Sequence, residues 1–103
     1  MAKRLTCEKD VKAEVKKLLD RYGAWWYMPV QTGYSRKGVP DFLACLNGHF
    51  LAVETKFGNN KPTQHQKNEI CDILAADGYA LVINERTLYR LEGLLSALEE
   101  EPQ

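Results

Sequence analysis

The sequence predicts an α/β fold in which a central mixed sheet is flanked by helices and the elements follow the order αβββαβα. Apolar residues recur at helical spacing in three segments, and four short runs rich in strand-forming residues lie between or beside them. The clearest local signal is Asn47-Gly48 between two apolar runs, which is typical of a two-residue type I′ hairpin. With 103 residues, the chain has room for one domain, spanning 1–103.

Three helices are predicted, over residues 7–22, 63–77 and 87–98. Each has apolar side chains at the spacing of one face packed against a sheet. The inward residues are Val11, Val15, Leu18, Leu19 and Tyr22 in the first helix, Ile70, Ile73 and Leu74 in the second, and Leu88, Leu91, Leu95 and Leu98 in the third. Thr6 and Thr63 stand where N-caps are expected, and residues 99–103 are expected to fray.

Four strands are predicted, at 24–31, 39–46, 49–57 and 79–83. Pro29 favours an edge position for the first strand, because proline cannot donate a ladder hydrogen bond. Residues 32–38 contain two glycines and two cations without apolar periodicity, so a mobile loop is expected there. Cys7, Cys45 and Cys71 lack the paired spacing of a zinc site, and we expect reduced thiols with Cys45 and Cys71 in the core.

The distribution of charge is more informative than the net charge, which is zero. Residues 1–67 carry 12 Lys or Arg and 6 Asp or Glu, whereas residues 68–103 carry 2 and 8, so the two parts are +6 and −6. A basic segment favours a nucleic-acid partner, although Lys12, Lys16 and Lys17 could simply solvate a helix face. No apolar run approaches the roughly 18 residues of a membrane span, and the first residues lack a secretory pattern, so a cytoplasmic protein is expected.

The predicted hairpin brings two acidic residues together. If Leu46 pairs with His49 across the turn, the same register places Asp41 opposite Glu54, as a non-hydrogen-bonded pair with Cα atoms about 4.5 Å apart. Lys56 lies two residues beyond Glu54 and therefore projects to the same face as both acids.

Like charges that face each other on a sheet are destabilising, so a cation between them is expected. Asp41, Glu54 and a backbone carbonyl, assigned to Thr55, suit Mg²⁺ with waters completing the shell. Lys56 could orient or activate water, or stabilise developing negative charge. The alternative is a pair of solvent-facing acids bridged by Lys56, but both strands are mostly apolar on both faces, which favours burial.

Each of the first two helices presents a polar residue toward the sheet. Glu8 continues the apolar stripe of the first helix and lies nearer its centre than Glu14, which makes it a third candidate carboxylate and metal ligand. Gln66 precedes Ile70 and Ile73 by four and seven residues, so its amide should face the sheet. The alternatives are an acid that favours the first helical turn and an amide bonded to backbone.

Two surfaces are candidates for contact with partners. The first comprises candidate DNA contacts near the acids, where the alternative is a solvated turn: Tyr34, Ser35, Arg36, Lys37 and Lys61. The second comprises side chains of the first strand, which suggest a dimer contact unless both tryptophans pack under the first helix: Trp25, Trp26, Tyr27 and Met28. Neither His49 nor His65 has a metal-ligand spacing, and neither is assigned a catalytic role.

Several short motifs follow one another along the chain. They are Met28-Pro-Val-Gln-Thr-Gly33, Gly38-Val-Pro-Asp41, Phe42-Leu43, Gly48-x-Phe50, Glu54-Thr-Lys56 and Lys61-Pro-Thr-x-x-Gln66. Gly38 to Asp41 together with Glu54 to Lys56 resemble the PD-(D/E)XK nuclease signature, and the chain from Glu8 to about Ile83 is similar to the VRR-NUC family within it. Thr55 departs from the family pattern, in which an apolar residue is commoner, and is expected to point away from the acids.

The resemblance implies a restriction-endonuclease-like core and a specific set of roles. Asp41 and Glu54 would bind Mg²⁺, for which Mn²⁺ would substitute, Lys56 would be the catalytic lysine, and Glu8 and Gln66 would complete the catalytic set. Stand-alone members of this size resemble phage and archaeal Holliday junction resolvases, which implies a homodimeric DNA endonuclease in the cytosol of a bacterial or phage-infected cell. The alternatives are a related nuclease that nicks or trims other DNA, such as flaps, and a non-catalytic DNA-binding module.

Overall fold

The computed structural model describes residues 4–102, so residues 1–3 and the last residue of the predicted tail lie outside the described part. The described elements are α1 (Glu8–Arg21), β1 (Trp25–Tyr27), β2 (Phe42–Leu46), β3 (His49–Thr55), α2 (Gln64–Ala75), β4 (Tyr79–Ile83) and α3 (Leu88–Glu100). The predicted class, a mixed sheet flanked by helices, is confirmed. Within residues 4–102, no helix is both long enough and apolar enough to cross a membrane.

The four strands lie in the order β1-β2-β3-β4, with β1 at the edge as Pro29 predicts. β2 is antiparallel to both β1 and β3, whereas β4 returns through α2 and runs parallel to β3. Asn47 and Gly48 have φ angles of 54° and 84°, the positive pair that a type I′ turn requires. Leu46 pairs with His49, so the predicted register of the hairpin is confirmed.

Three strands are shorter than predicted. The first has only the three residues of β1, and β2 begins at Phe42 rather than at residue 39. Pro29 and Pro40 lie just outside these ends, where each lacks the N–H that a ladder needs. At the end of β3, the strand stops at Thr55, although the N–H of Lys56 still donates to the carbonyl of Ile83 at 2.9 Å.

The main core lies on one side of the sheet, between the strands and the pair α1 and α3. Its buried residues from the strands and their flanks are Ala24, Phe42, Ala44, Leu46, Leu51, Val53 and Ile83, and those from the helices are Val11, Val15, Leu18, Leu19, Leu91, Leu95 and Leu98. The sequence prediction for α1 and α3 is therefore largely correct, with Tyr22 and Leu88 at the margin of the core.

The other side of the sheet is only partly covered by α2. None of the twelve residues of α2, all of them described, is buried, and Leu74 is 50% exposed rather than inward. Gln66, Glu69, Ile70 and Ile73 are the partly buried residues of α2, and Leu74 lies about 90° around the helix from the centre of that stripe. Cys45 and Cys71 are also exposed, which contradicts their predicted burial. Cys45 lies on this incompletely covered side of the sheet, and Cys71 lies on the face of α2 that is turned away from the sheet.

The helix ends correct two further predictions. Cys7, not Thr6, is the N-cap of α1, because the N–H and hydroxyl of Thr6 both donate to Asp10 Oδ2. Residues 99 and 100 are helical rather than frayed, since the Asn47 amide donates to the carbonyls of Leu98 at 2.9 Å and Glu101 at 2.7 Å. The hairpin turn thus caps the end of α3.

Candidate active site

Asp41 lies one residue before β2 and is held by Thr55. Its Oδ2 accepts the N–H of Thr55 at 2.9 Å and the Thr55 hydroxyl at 2.5 Å. The ladder ends at the pair Phe42 and Val53, one step short of the predicted pair of Asp41 with Glu54. Because Asp41 is outside the strand, its carboxylate turns to Thr55, and the expectation that Thr55 points away from the acids is wrong.

Glu54, in β3, is a carboxylate taken almost completely out of water, with a side chain that is only 3% exposed. Its Oε2 accepts the side-chain amide of Gln66 at 3.0 Å and lies 3.4 Å from Lys56 Nζ. Its Oε1 is buried without a hydrogen-bond partner among the described residues. An unsatisfied buried carboxylate oxygen is costly, so it is an informative feature of a native site.

The environment of Glu54 raises the pKa of its carboxyl from 4.5 to about 7. Burial is the largest cause and the negative charge of Asp41 is the second, while Glu8 raises the pKa further and the Lys56 ammonium lowers it. Three acids thus share one electrostatic environment, and the lysine offsets only part of their repulsion.

Gln66 connects this carboxylate to the first turn of α2. Its side-chain Oε1 accepts the backbone N–H of Thr63 at 2.9 Å, and its backbone N–H donates to the Thr63 hydroxyl at 3.2 Å. The two bonds form a capping box. The amide therefore faces the sheet and also bonds to backbone, so the two interpretations drawn from the sequence are both correct.

The start of α1 brings Glu8 and an unanticipated lysine to the same place. Lys12 Nζ lies 3.4 Å from Glu8 Oε2 and 3.9 Å from Asp41 Oδ1. Sequence reasoning missed Lys12 because it was grouped with the solvated lysines, although its i+4 spacing from Glu8 was a usable signal. Glu14 instead pairs with Lys17 at 3.1 Å.

Of the candidate DNA contacts, two have protein partners. Arg36 donates from Nη2 to Glu69 Oε1 at 2.8 Å, with its Nε 2.5 Å from Glu69 Oε2, so its guanidinium is clamped by a carboxylate that is only 13% exposed. The Ser35 hydroxyl donates to the carbonyl of Thr32 at 2.7 Å and shapes the turn. Tyr34, Lys37 and Lys61 are exposed. The predicted mobile loop is therefore tied to α2 at Arg36.

Gly38 lies directly against the first turn of α2. Its φ is +81°, and a Cβ at this position would be 2.4 Å from the carbonyl carbon and oxygen of His65 and 2.8 Å from the nitrogen of Gln66. Only a glycine permits this approach. The loop before Asp41 is thereby fitted to the turn that carries Gln66.

The two tryptophans of β1 lie on opposite faces of the sheet. Trp26 stacks edge-on against Phe42 at 5.7 Å and donates from Nε1 to Asp20 at 2.8 Å, while Met28 packs at the edge of the same core. Trp25 and Tyr27 are 64% and 47% exposed on the α2 side.

Neither histidine lies in the carboxylate site. At the turn of the hairpin, His49 Nε2 lies 2.5 Å from Glu101 Oε2, and His65 is exposed.

Asp41 and Glu54 supply too few ligands to surround a divalent cation by themselves, so water or phosphate oxygens would have to complete its shell. Within residues 4–102, no three Asp, Glu, His or Cys side chains form a group that could hold a metal ion. Asp41 and Glu54 nevertheless each have one oxygen fixed by protein donors. Of the other two oxygens, Glu54 Oε1 has no hydrogen-bond partner among the described residues, and Asp41 Oδ1 lies 3.9 Å from the Lys12 ammonium. Two carboxylates with water and phosphate oxygens are a common arrangement for Mg²⁺.

The geometry thus defines a buried carboxylate, Glu54, near a partly exposed one, Asp41, with an adjacent lysine at one end of a mixed sheet. In comparisons with known proteins, no family model, curated protein or solved structure matches the chain. Function is therefore inferred from the chemistry of these side chains.

Proposed function

We propose that the protein is a metal-dependent DNA endonuclease of the PD-(D/E)XK type, similar to the VRR-NUC family, with a restriction-endonuclease-like core. The observation that carries this proposal is the state of Glu54. Its buried carboxylate is held at one oxygen by Gln66 and Lys56, while its other oxygen has no partner among the described residues, and Asp41 lies nearby. A site of this kind is suited to a divalent cation rather than to stability.

In this proposal, Asp41 and Glu54 would hold Mg²⁺ or Mn²⁺ through Oδ1 and Oε1, and the Thr55 carbonyl and Glu8 would be further candidate ligands. Bound there, a divalent cation would supply Lewis-acid chemistry, which polarises a phosphodiester and makes water more acidic. The N–H and hydroxyl of Thr55 fix Asp41, and Gln66 fixes Glu54, so neither acid has to reorganise before the ion binds.

Lys56 supplies the positive charge that hydrolysis of a phosphodiester requires. Its side chain is only 13% exposed and its Nζ lies 3.4 Å from Glu54. A partly desolvated ammonium stabilises negative charge on phosphate oxygens more strongly than one in bulk water. The role proposed for Lys56 is to stabilise that charge or to orient the attacking water.

The proposed substrate is branched DNA, in particular the four-way junction, cut by a homodimer. Two active sites related by a twofold axis would allow paired cuts in a symmetric junction. The exposed Trp25 and Tyr27, on an edge strand, support a contact between two copies. Sedimentation of the wild type and a Trp25→Ser, Tyr27→Ser double variant tests this part, and a wild-type monomer at all concentrations contradicts it.

Cleavage assays test chemistry and substrate together. Wild type, Asp41→Ala and the exposed control Asp72→Asn are incubated with linear duplex, flap and four-way DNA, with and without Mg²⁺. We expect the wild type and Asp72→Asn to convert the junction into nicked duplexes only with metal, and Asp41→Ala to be inactive. Equal cutting of linear duplex rejects junction selectivity, preferential cutting of flaps indicates the trimming alternative, and binding without cutting indicates a non-catalytic module.

A further inference from the structure

We propose that Lys12 is a built-in counter-ion of the carboxylate site, which occupies the metal side of Asp41 in the metal-free protein and competes with the divalent cation. This inference rests on the proposed metal site. It assigns to Lys12 a regulatory role that neither the acids nor Lys56 can fill.

Lys12 differs from its neighbours in where its ammonium lies. Its Nζ is 3.4 Å from Glu8 Oε2 and 3.9 Å from Asp41 Oδ1, and its side chain is 30% exposed. Lys17, on the same helix, is 69% exposed and pairs with Glu14 outside the site. Lys12 therefore connects α1 to Asp41, the residue just before β2, and an i,i+4 pair with Glu8 does not by itself require that connection.

The atom that Lys12 approaches is the oxygen of Asp41 that Thr55 leaves unused. Both Thr55 donors bind Asp41 Oδ2, so Oδ1 is the oxygen that a cation would take. Glu54 repeats this division, since Gln66 and Lys56 lie at Oε2 while Oε1 is buried without a partner among the described residues. The Lys12 ammonium thus faces one of the two oxygens proposed to hold the metal.

Competition follows from charge. Without metal, Lys12 reduces the repulsion among the acids, as a monovalent cation would. The Lys12 ammonium, 3.9 Å from Asp41 Oδ1, would repel a divalent cation held by that oxygen, so binding would require Lys12 to withdraw toward solvent. Its partial exposure permits this withdrawal. The site would therefore bind metal only at higher metal concentrations, and Lys12 would limit the repulsion among the acids when no metal is bound.

Titration with Mn²⁺ alone, followed by calorimetry and by the electron paramagnetic resonance of free Mn²⁺, tests the inference on the intact protein. Lys12→Gln should bind Mn²⁺ about 3- to 10-fold more tightly than the wild type. Lys17→Gln removes the same charge and an ion pair of the same helix outside the site, and should bind like the wild type. Asp41→Ala should not bind. Lys12→Met, which keeps the unbranched stem, replaces Lys12→Gln if that variant folds poorly.

Thermal unfolding in EDTA provides a second measurement. Lys12→Gln should melt about 2–5 °C below Lys17→Gln in EDTA, and saturating Mn²⁺ should remove that difference. Equal or weaker Mn²⁺ binding by Lys12→Gln, with binding abolished in Asp41→Ala, overturns the role of Lys12 but leaves the metal site intact. Failure of both the wild type and Lys12→Gln to bind overturns the inference and the metal site together.

Discussion

Gln66 joins the first turn of α2 to the buried carboxylate of Glu54, with its Nε2 3.0 Å from Glu54 Oε2 and its Oε1 2.9 Å from the nitrogen of Thr63. One side chain therefore both begins a helix and fixes an acid. This relationship couples the stability of α2 to the orientation of Glu54, and it gives the first prediction.

Replacing Gln66 by Ala should affect stability and the site at once. Loss of the capping box should lower the free energy of unfolding by about 1 kcal/mol. Loss of the bond to Glu54 should lower Mn²⁺ affinity about 10- to 100-fold. Denaturant unfolding and Mn²⁺ titration measure the two effects. Gln64→Ala, which removes an exposed bond to Asn68 outside the site, is the control, and an equal loss of affinity in both variants contradicts the proposed role.

The raised pKa of Glu54 predicts a stability that falls as pH rises. Its pKa of about 7 in the folded protein exceeds the ordinary 4.5, so between these values the folded state keeps a proton that the unfolded chain has lost. The stabilisation from this proton is fully present below pH 4.5, decreases as the pH rises, and is lost above about pH 7. The total decrease in the free energy of unfolding is about 3 kcal/mol.

Glu54→Gln stays neutral and should lack this slope. In urea unfolding with EDTA, it should match the wild type near pH 4.5 and be more stable by up to about 3 kcal/mol at pH 8. Glu100→Gln, at an exposed position, should keep the wild-type slope. Parallel pH profiles for the wild type and Glu54→Gln contradict the raised pKa.

Two substitutions of Thr55 should distinguish its contribution to packing from its contribution to metal binding. Thr55→Val keeps the buried shape but removes the hydroxyl that donates to Asp41 at 2.5 Å, so we expect Mn²⁺ affinity to fall about 10- to 100-fold. Thr55→Ser keeps the hydroxyl and loses one buried methyl group, and should cost about 1 kcal/mol of stability with little change in affinity. Calorimetry measures the affinity and thermal melts measure the stability. A larger loss of affinity in Thr55→Ser than in Thr55→Val contradicts the role of the hydroxyl.

Gly38→Ala should destabilise the protein strongly, although it adds only one methyl group. The added Cβ would lie 2.4 Å from the carbonyl of His65, and the φ of +81° disfavours alanine. We expect a loss of about 1–3 kcal/mol in the free energy of unfolding and weaker Mn²⁺ binding, because the Gln66 turn must shift. Gly33→Ala, in the same loop with nothing within 4 Å of the added atom, should be nearly neutral, and similar losses in both variants refute the contact.

Local rules sufficed for much of the fold and for part of the site. The Asn47-Gly48 turn determined the hairpin register, and helical spacing determined the core faces of α1 and α3. The same spacing placed Glu8 and Gln66 toward the acids. These features depend on neighbours within a few residues, which a sequence shows directly.

The misses arose where distant segments decide the outcome. Thr55 binds Asp41 because β2 begins only at Phe42, which leaves Asp41 outside the strand, and Arg36 is paired because Glu69 of α2 lies beside the loop. Cys45 is exposed because α2 covers only part of its side of the sheet, whereas Cys71 and Leu74 are exposed because they lie on faces of α2 that are turned away from the sheet. Apolar character predicts burial only when another element covers the residue.

The placement of Trp25 and Trp26 on opposite faces of β1 gives the protein two fluorophores in different surroundings. Trp26, against Phe42, should emit at shorter wavelength and report loss of the core. Trp25, 64% exposed, should be quenched by iodide and should lose that quenching when anything covers the α2 side. With Trp25→Phe and Trp26→Phe variants, one spectrometer can follow folding and surface occupancy separately in a single unlabelled chain.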